Sequence, residues 1–293
     1  MLEKFNSASD RLLKLAVKIM ENALRKHGSY EEFERRTGGR QLSRVQIMDA
    51  AKTYLNSEGI EDEVEVILVD DLVSRASMSR VKGKPTLRVR TSNMREHWMI
   101  GLLRHELGTH YLRSCNNRYQ IWHKTKMRND LELEPLNPTE EGLASLHSVI
   151  FREDPCLWRC ALLYYTIYKA SQLSFRDLFQ DLGQFLVDPN VRWDYCLRAK
   201  RGQIETSGPG AFCKDQVYLE GALQLLKHRR TLDFHILVKQ GKVSYLDSER
   251  LRFLGNYRHT RIPQFMEDLP RYLHALQDIL TKNGLTDDDL VVV

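Results

Sequence analysis

The sequence predicts an α+β fold that is mostly helical, with a small sheet. Three observations predict it. EVEVILVD at 63–70 and KPTLRVR at 84–90 have the alternation and β-rich content of strands. A long series of helical segments follows them rather than alternating with them. No composition break, internal repeat or low-complexity linker divides the 293 residues. The chain therefore reads as one core, 1–293. Its N-terminal helices and small sheet cover about 1–93, a central pair of helices about 94–152, and a C-terminal helical part about 153–293.

In order, ASDRLLKLAVKIMENALRKHG (8–28) is an amphipathic helix that ends near Gly28, and QLSRVQIMDAAKTYLNSEG (41–59) is a second that closes near Gly59. The two strands come next. In the second, Leu87 and Val89 lie on one face and Arg88 and Arg90 on the other, while Pro85 restricts it to a sheet edge or marks its start. A helix over about 95–115 follows. NPTEEGLASLHSVIF (137–151) begins with Asn137 as N-cap and Pro138 at the first helical position. Five further helical stretches complete the chain: 155–171, 174–186, 191–202, 214–230 and 261–284.

Of the residues, 42% are hydrophobic, yet no apolar run approaches the ~18 residues that span a bilayer. The N-terminal MLEKFNSASD has no apolar signal core, so the chain reads as soluble and intracellular. The five cysteines are irregularly spaced, which excludes a secreted disulfide framework. Cys156 and Cys160 lie in the apolar run CLWRCALLYYTIY and read as buried thiols rather than a metal pair. Net charge is +5. The window 74–95 holds Arg75, Arg80, Lys82, Lys84, Arg88, Arg90 and Arg95 without one acid. HKTKMR (123–128) and KHRR (227–230) are further basic clusters. They point to an acidic partner, either nucleic acid, an anionic membrane or an acidic peptide, and charge alone does not choose.

RHELGTHYLR at 104–113 carries the chemistry. The familiar zinc-protease run is H-E-x-x-H, with histidines four apart; here His105 and His110 are five apart. In a regular helix, residues four apart lie ~40° from one another and residues five apart ~140°. A local i→i+5 turn restores both imidazoles to nearly one face, and such π-bulges occur mostly at functional sites. The motif therefore predicts a distorted helix, with Gly108 lowering the steric cost of the irregular turn. Imidazole and carboxylate suit zinc, and a catalytic zinc keeps one position open. Glu106, beside a ligand, is placed to take the proton of the attacking water as general base. The third ligand should come from a facing helix, where TEEGLA (139–144) offers Glu140 and Glu141. Acids in a first helical turn also suit the helix dipole. Glu141 is the better candidate, because Gly142 beside it leaves room for close helix approach.

RHELGTHYLR together with EEGLA (140–144) and GPGAFCKDQVYLEG (208–221) resembles the microtubule-associated tyrosine carboxypeptidases, a vertebrate family with bacterial relatives named for a Q-E-G-L-A motif. The likeness extends over essentially the whole chain; Glu140 stands where the bacterial motif has Gln. The resemblance implies a zincin-like metallopeptidase core that removes the C-terminal tyrosine of α-tubulin. It implies one Zn2+ per chain held by His105, His110 and Glu141, with Glu106 as base. It also implies a cytoplasmic, microtubule-bound location, with the acidic tubulin tail as partner rather than nucleic acid or membrane, and a monomer. Family members carry a long N-terminal region that helps hold the microtubule, so this chain reads as a trimmed catalytic core.

On that footing TLRVR is the candidate edge strand for pairing with the substrate backbone, placing Arg88 and Arg90 near the tail's glutamates. A charged exposed edge that discourages aggregation has the same look. A carboxypeptidase also needs a cation for the terminal carboxylate. Arg113 and Lys214 are candidates, though Arg113 suits a role in orienting a ligand equally well. Tyr218 and His147 are candidate oxyanion donors. A non-catalytic metal-containing microtubule binder is the competing reading. A nucleic-acid-binding protein is a third, suggested by charge alone and lacking any recognised binding signature.

Overall fold

A computed structural model describes residues 8–72 and 74–293. Helix α1 (Leu13–His27) ends at Gly28, whose φ of 87° stops it where expected. Helix α2 (Tyr30–Thr37) starts at once, its N-cap Ser29 accepting from the Glu32 N–H. The sequence reading passed over this short helix. Helix α3 (Arg44–Ser57) opens on a reciprocal capping box between Ser43 and Gln46.

The sheet has three strands: β1 (Glu65–Val69), β2 (Ala76–Val81) and β3 (Lys84–Arg90), in the order β1-β3-β2. β3 pairs parallel with β1 and antiparallel with β2. KPTLRVR is thus the central strand, and its expected place at the edge is corrected. Lys82 and Gly83, with φ of 50° and 83°, form a tight two-residue hairpin that adds β2 alongside it. Pro85 precedes Thr86, the first residue paired with β1, so it marks the strand's start. Leu87 and Val89 are fully buried, as their alternation requires, and Arg88 is exposed.

Helix α4 (Glu96–His105) runs into a π-helical turn (Glu106–Tyr111) and on into α5 (Leu112–Asn117). Met99, Leu103 and Leu107 bury one side of this rod in a cluster with the sheet and α3. After α6 (Thr125–Asp130) comes α7 (Asn137–Val149). Leu136, not Asn137, is its N-cap, and no side chain caps it; Pro138 still lies in the first turn. The remaining helices are α8 (Trp158–Ala170), α9 (Phe175–Asp181), α10 (Pro189–Lys200), α11 (Val217–Lys227), α12 (Phe234–Lys239), α13 (Tyr245–Ser248) and α14 (Leu269–Lys282). Leu146, Leu162, Leu223 and Leu276 join α7, α8, α11 and α14 in a second, larger core. Cys156 and Cys160 are buried there, as read from their apolar run. No described helix is long and apolar enough to cross a membrane.

Gly142 and Gly221 let α7 and α11 touch backbone to backbone. A Cβ on Gly142 would lie 2.2 Å from the Gly221 carbonyl carbon, and one on Gly221 would lie 1.6 Å from the Pro138 oxygen. Alanine favours a helix interior by only ~1 kcal/mol over glycine, whereas forced overpacking costs ~1–3 kcal/mol. Gly142→Ala is therefore expected to lower the thermal midpoint, measured by circular dichroism. An unchanged or raised midpoint would mean the two helices separate freely.

Candidate metal centre

The π turn is where the sequence spacing placed it. Its extra residue leaves the Arg104 carbonyl to accept from the Thr109 hydroxyl at 2.8 Å. That hydroxyl's oxygen in turn lies 2.7 Å from His147 Nδ1, and His147 Nε2 lies 2.9 Å from the Tyr272 hydroxyl. His147 is fully buried, and burial with the nearby Arg104 pushes its pKa well down, so it is neutral. Its candidacy as oxyanion donor is withdrawn: it is a core histidine that supports the irregular turn. Gly108 has no positive φ; it is small because Tyr54 and Phe265 press on it, with a Cβ there 2.6 Å from the Tyr54 hydroxyl. Thr109→Val would strand both the Arg104 carbonyl and the His147 N–H. A loss of ~1–3 kcal/mol is expected in urea unfolding. An unaltered midpoint would mean the turn does not depend on this hydroxyl.

The wide turn brings His105 Nε2 and His110 Nε2 to 3.2 Å. Glu141 of α7 completes a trio whose ligand atoms all lie within 4.8 Å of one another. Glu141 Oε2 is buried, 3.5 Å from His110 Nε2, and no hydrogen bond reaches it. A buried carboxylate oxygen without a donor is costly unless a cation answers it.

Neighbouring groups orient the two rings. The Ala144 backbone carbonyl is hydrogen-bonded to His105, and Glu140 Oε1 lies 2.7 Å from His110 Nδ1. Each imidazole therefore aims its other nitrogen at the centre. Glu140 is buried and bonded to Arg113 and Lys242. Burial opposes its charge, but Lys242, Arg113 and His110 hold its carboxyl well below the usual range. The capped, exposed helix start that Glu140 resembles in sequence is thus not what forms. Burial and the adjacent His110 push His105 well down. Burial also opposes charge on His110, yet Glu140 and Glu141 hold its pKa up at about 9. The carboxylates thus draw positive charge to the point where the trio converges. A divalent cation bound there would supply that charge and take the place of the His110 proton. Two imidazoles and one carboxylate fit a zinc ion with one open position.

Glu106 lies beside the trio in a cavity of about 380 Å³. Burial and Glu141 raise its carboxyl pKa, with His110 pulling the other way. Tyr30, Phe33, Trp98 and Trp158 form an aromatic wall. Arg75, Arg152, Arg159 and Arg198 supply cations, and among the described residues the only acids lining the cavity are Glu106 and Glu141. Ser74 to Ser77, where β2 begins, form part of the rim.

Over residues 2–284 the chain matches the family described as microtubule-associated tyrosine carboxypeptidase. The chain belongs to this family. Among its relatives, a mouse protein named putative tyrosine carboxypeptidase MATCAP2 is 54% identical over 99% of this chain and 56% of its own length. Microtubule-associated tyrosine carboxypeptidase 1 of mouse is 52% identical over 99% of this chain and 62% of its own length. The human protein of that name is 51% identical over 99% of this chain and 61% of its own length. The chain thus spans less than two thirds of these relatives.

In this tyrosine carboxypeptidase relative, the proposed substrate residues scatter. Arg88 and Arg90 do not line the cavity; Arg90 donates to the Leu72 carbonyl and lies 3.8 Å from Asp194. Arg113 is fully buried, bonded to Glu140 and the Val243 carbonyl, and does not line the cavity. Lys214 is exposed and away from the cavity lining. Tyr218 does line it, its hydroxyl 3.5 Å from Arg198. Of the four cavity arginines, Arg75 belongs to the basic window 74–95, while Arg152, Arg159 and Arg198 are not singled out by the sequence reading. Arg159 carried a signal: it is the lone cation inside CLWRCALLYYTIY.

Proposed function

We propose that this chain is the single, monomeric core of a zinc-dependent carboxypeptidase of zincin-like design, which removes the C-terminal tyrosine from the acidic tail of α-tubulin on cytoplasmic microtubules. One observation carries the reading: His105, His110 and Glu141 converge beside Glu106 in a single cavity. The family and the names of its members supply the tyrosine and the microtubule.

When bound, Zn2+ polarises the scissile carbonyl and lowers the pKa of water. The chain's own groups do the rest. Glu140, locked by Arg113 and Lys242, keeps His110 turned to the centre. Glu106, with its raised carboxyl pKa, accepts the proton of the attacking water and returns it to the leaving amine. Burial and Glu141 raise the pKa of Tyr218, so its phenol keeps its proton and can donate to the developing oxyanion. β2 replaces β3 as the strand offered to the substrate backbone, since one of its edges is unpaired in the sheet and its start forms the rim. The aromatic wall suits a tyrosine ring, and the cations suit the glutamates before it. A merely structural zinc site would fill four positions with protein ligands and leave Glu106 idle.

The test is mass spectrometry of a peptide ending in Glu-Glu-Tyr after incubation with zinc-loaded protein. The expected product lacks one tyrosine, and a chelator should stop its formation until zinc is restored. An intact peptide on incubation with zinc-replete protein would overturn the reading.

A further inference from the structure

A carboxypeptidase must recognise the free carboxylate of the last residue. In that residue only Cα separates the carboxylate carbon from the scissile nitrogen, so the recognising cation must lie next to the reacting groups. Three of the cavity's arginines are otherwise placed. Arg198 is bonded to Asp215 at 2.5 Å. Arg75 lies 4.1 Å over the Trp98 ring and 3.5 Å from Glu34. Arg152 packs across α4, where a Cβ on Gly101 would lie 2.4 Å from its Nη2. Its Nε is buried in that packing and the side chain is only partly accessible, whereas Arg159 is exposed.

Arg159 differs on each count. It is the second residue of α8, and its side chain stays accessible because it projects into the cavity. Among the described residues it has no hydrogen bond or ion pair to an acid. It lines one cavity with His105, Glu106, His110 and Glu141, so the cavity that holds the metal trio also holds its guanidinium. The cations around it, Arg198 and Arg75, repel it rather than satisfy it. A cation that faces the cavity without an acid partner is free to take an arriving carboxylate, and the guanidinium fork gives that contact its geometry.

We propose that Arg159 is the anchor for the α-carboxylate of the substrate's C-terminal residue, and that it restricts the enzyme to free chain ends. The proposal rests on the carboxypeptidase reading above and deepens it by assigning this recognition to one side chain.

The test measures binding, so it does not depend on turnover. Zinc-loaded Glu106→Gln protein is titrated calorimetrically with acetyl-Glu-Glu-Tyr as the free acid and as the C-terminal amide. The acid is expected to bind roughly 10- to 100-fold more tightly, the range of a charge-assisted hydrogen-bonded pair. Adding Arg159→Met should collapse that ratio towards one, Arg159→Lys should restore part of it, and Arg152→Met should leave it in place. An unchanged ratio in the zinc-replete Arg159→Met protein overturns the proposal. So does an equal loss in Arg152→Met, or failure of both peptides to bind the parent. If the ratio depends on Arg159 while zinc-loaded protein with Glu106 intact releases no tyrosine, the peptidase reading falls and the anchor stands.

Discussion

Glu106→Gln is expected to keep the fold and the metal and to lose cleavage by ~10²–10⁴-fold. The exchange preserves shape and removes only the ability to accept a proton. Glu106 is partly accessible through the cavity, so the amide leaves no buried charge unanswered. Its neighbours His105 and His110 keep their own partners, Ala144 and Glu140. Single-turnover release of tyrosine, with metal content measured on the same sample, separates the two effects. Full turnover by a metal-replete Glu106→Gln protein would remove the general-base role. Loss of metal along with activity would make Glu106 part of the binding set instead.

Glu140→Ala is expected to damage both stability and metal binding. Glu140 answers Arg113, which is fully buried, and also Lys242 and His110. Removing one partner of a buried charge pair costs ~3–5 kcal/mol, because the remaining charge is stranded. Loss of the group that orients a metal-binding histidine lowers affinity by ~10–100-fold. Urea unfolding reads the first effect, and zinc competition against a chromogenic chelator reads the second. Glu140→Gln separates shape from charge: it keeps an oxygen toward His110 Nδ1 and removes the counter-charge for Arg113. Wild-type behaviour of Glu140→Ala in both assays would mean that the network is an accessory to the site.

The parts of this site legible in the sequence were those set by local geometry. The spacing of five positions from His105 to His110 demands a widened turn, and the π helix at Glu106–Tyr111 supplies it. Gly142 beside Glu141 signals a close helix approach, and α7 and α11 touch there. What depends on elements distant in the chain was not legible. β2 contains Ala, Ser and Met where a strand usually shows β-branched residues, so its hairpin with β3 escaped notice and β3 was taken for an edge. Arg113 suited either of two roles until α7 placed Glu140 against it. Arg152, Arg159 and Arg198 line one cavity with His105 and Glu106 only because the segment after α7, together with α8 and α10, packs around it. The solitary Arg159 in an apolar run was the one clue to that convergence.

The central claim is that His105, His110 and Glu141 hold one catalytic metal ion. An anomalous-difference map recorded at the zinc absorption edge, from crystals of the purified chain, tests it most directly. The account predicts a single strong peak, ~2.0–2.2 Å from both Nε2 atoms and from a Glu141 carboxylate oxygen, with one coordination position left open toward Glu106. No peak among these three side chains in zinc-supplemented crystals, or a peak closed off by a fourth protein ligand, would contradict it.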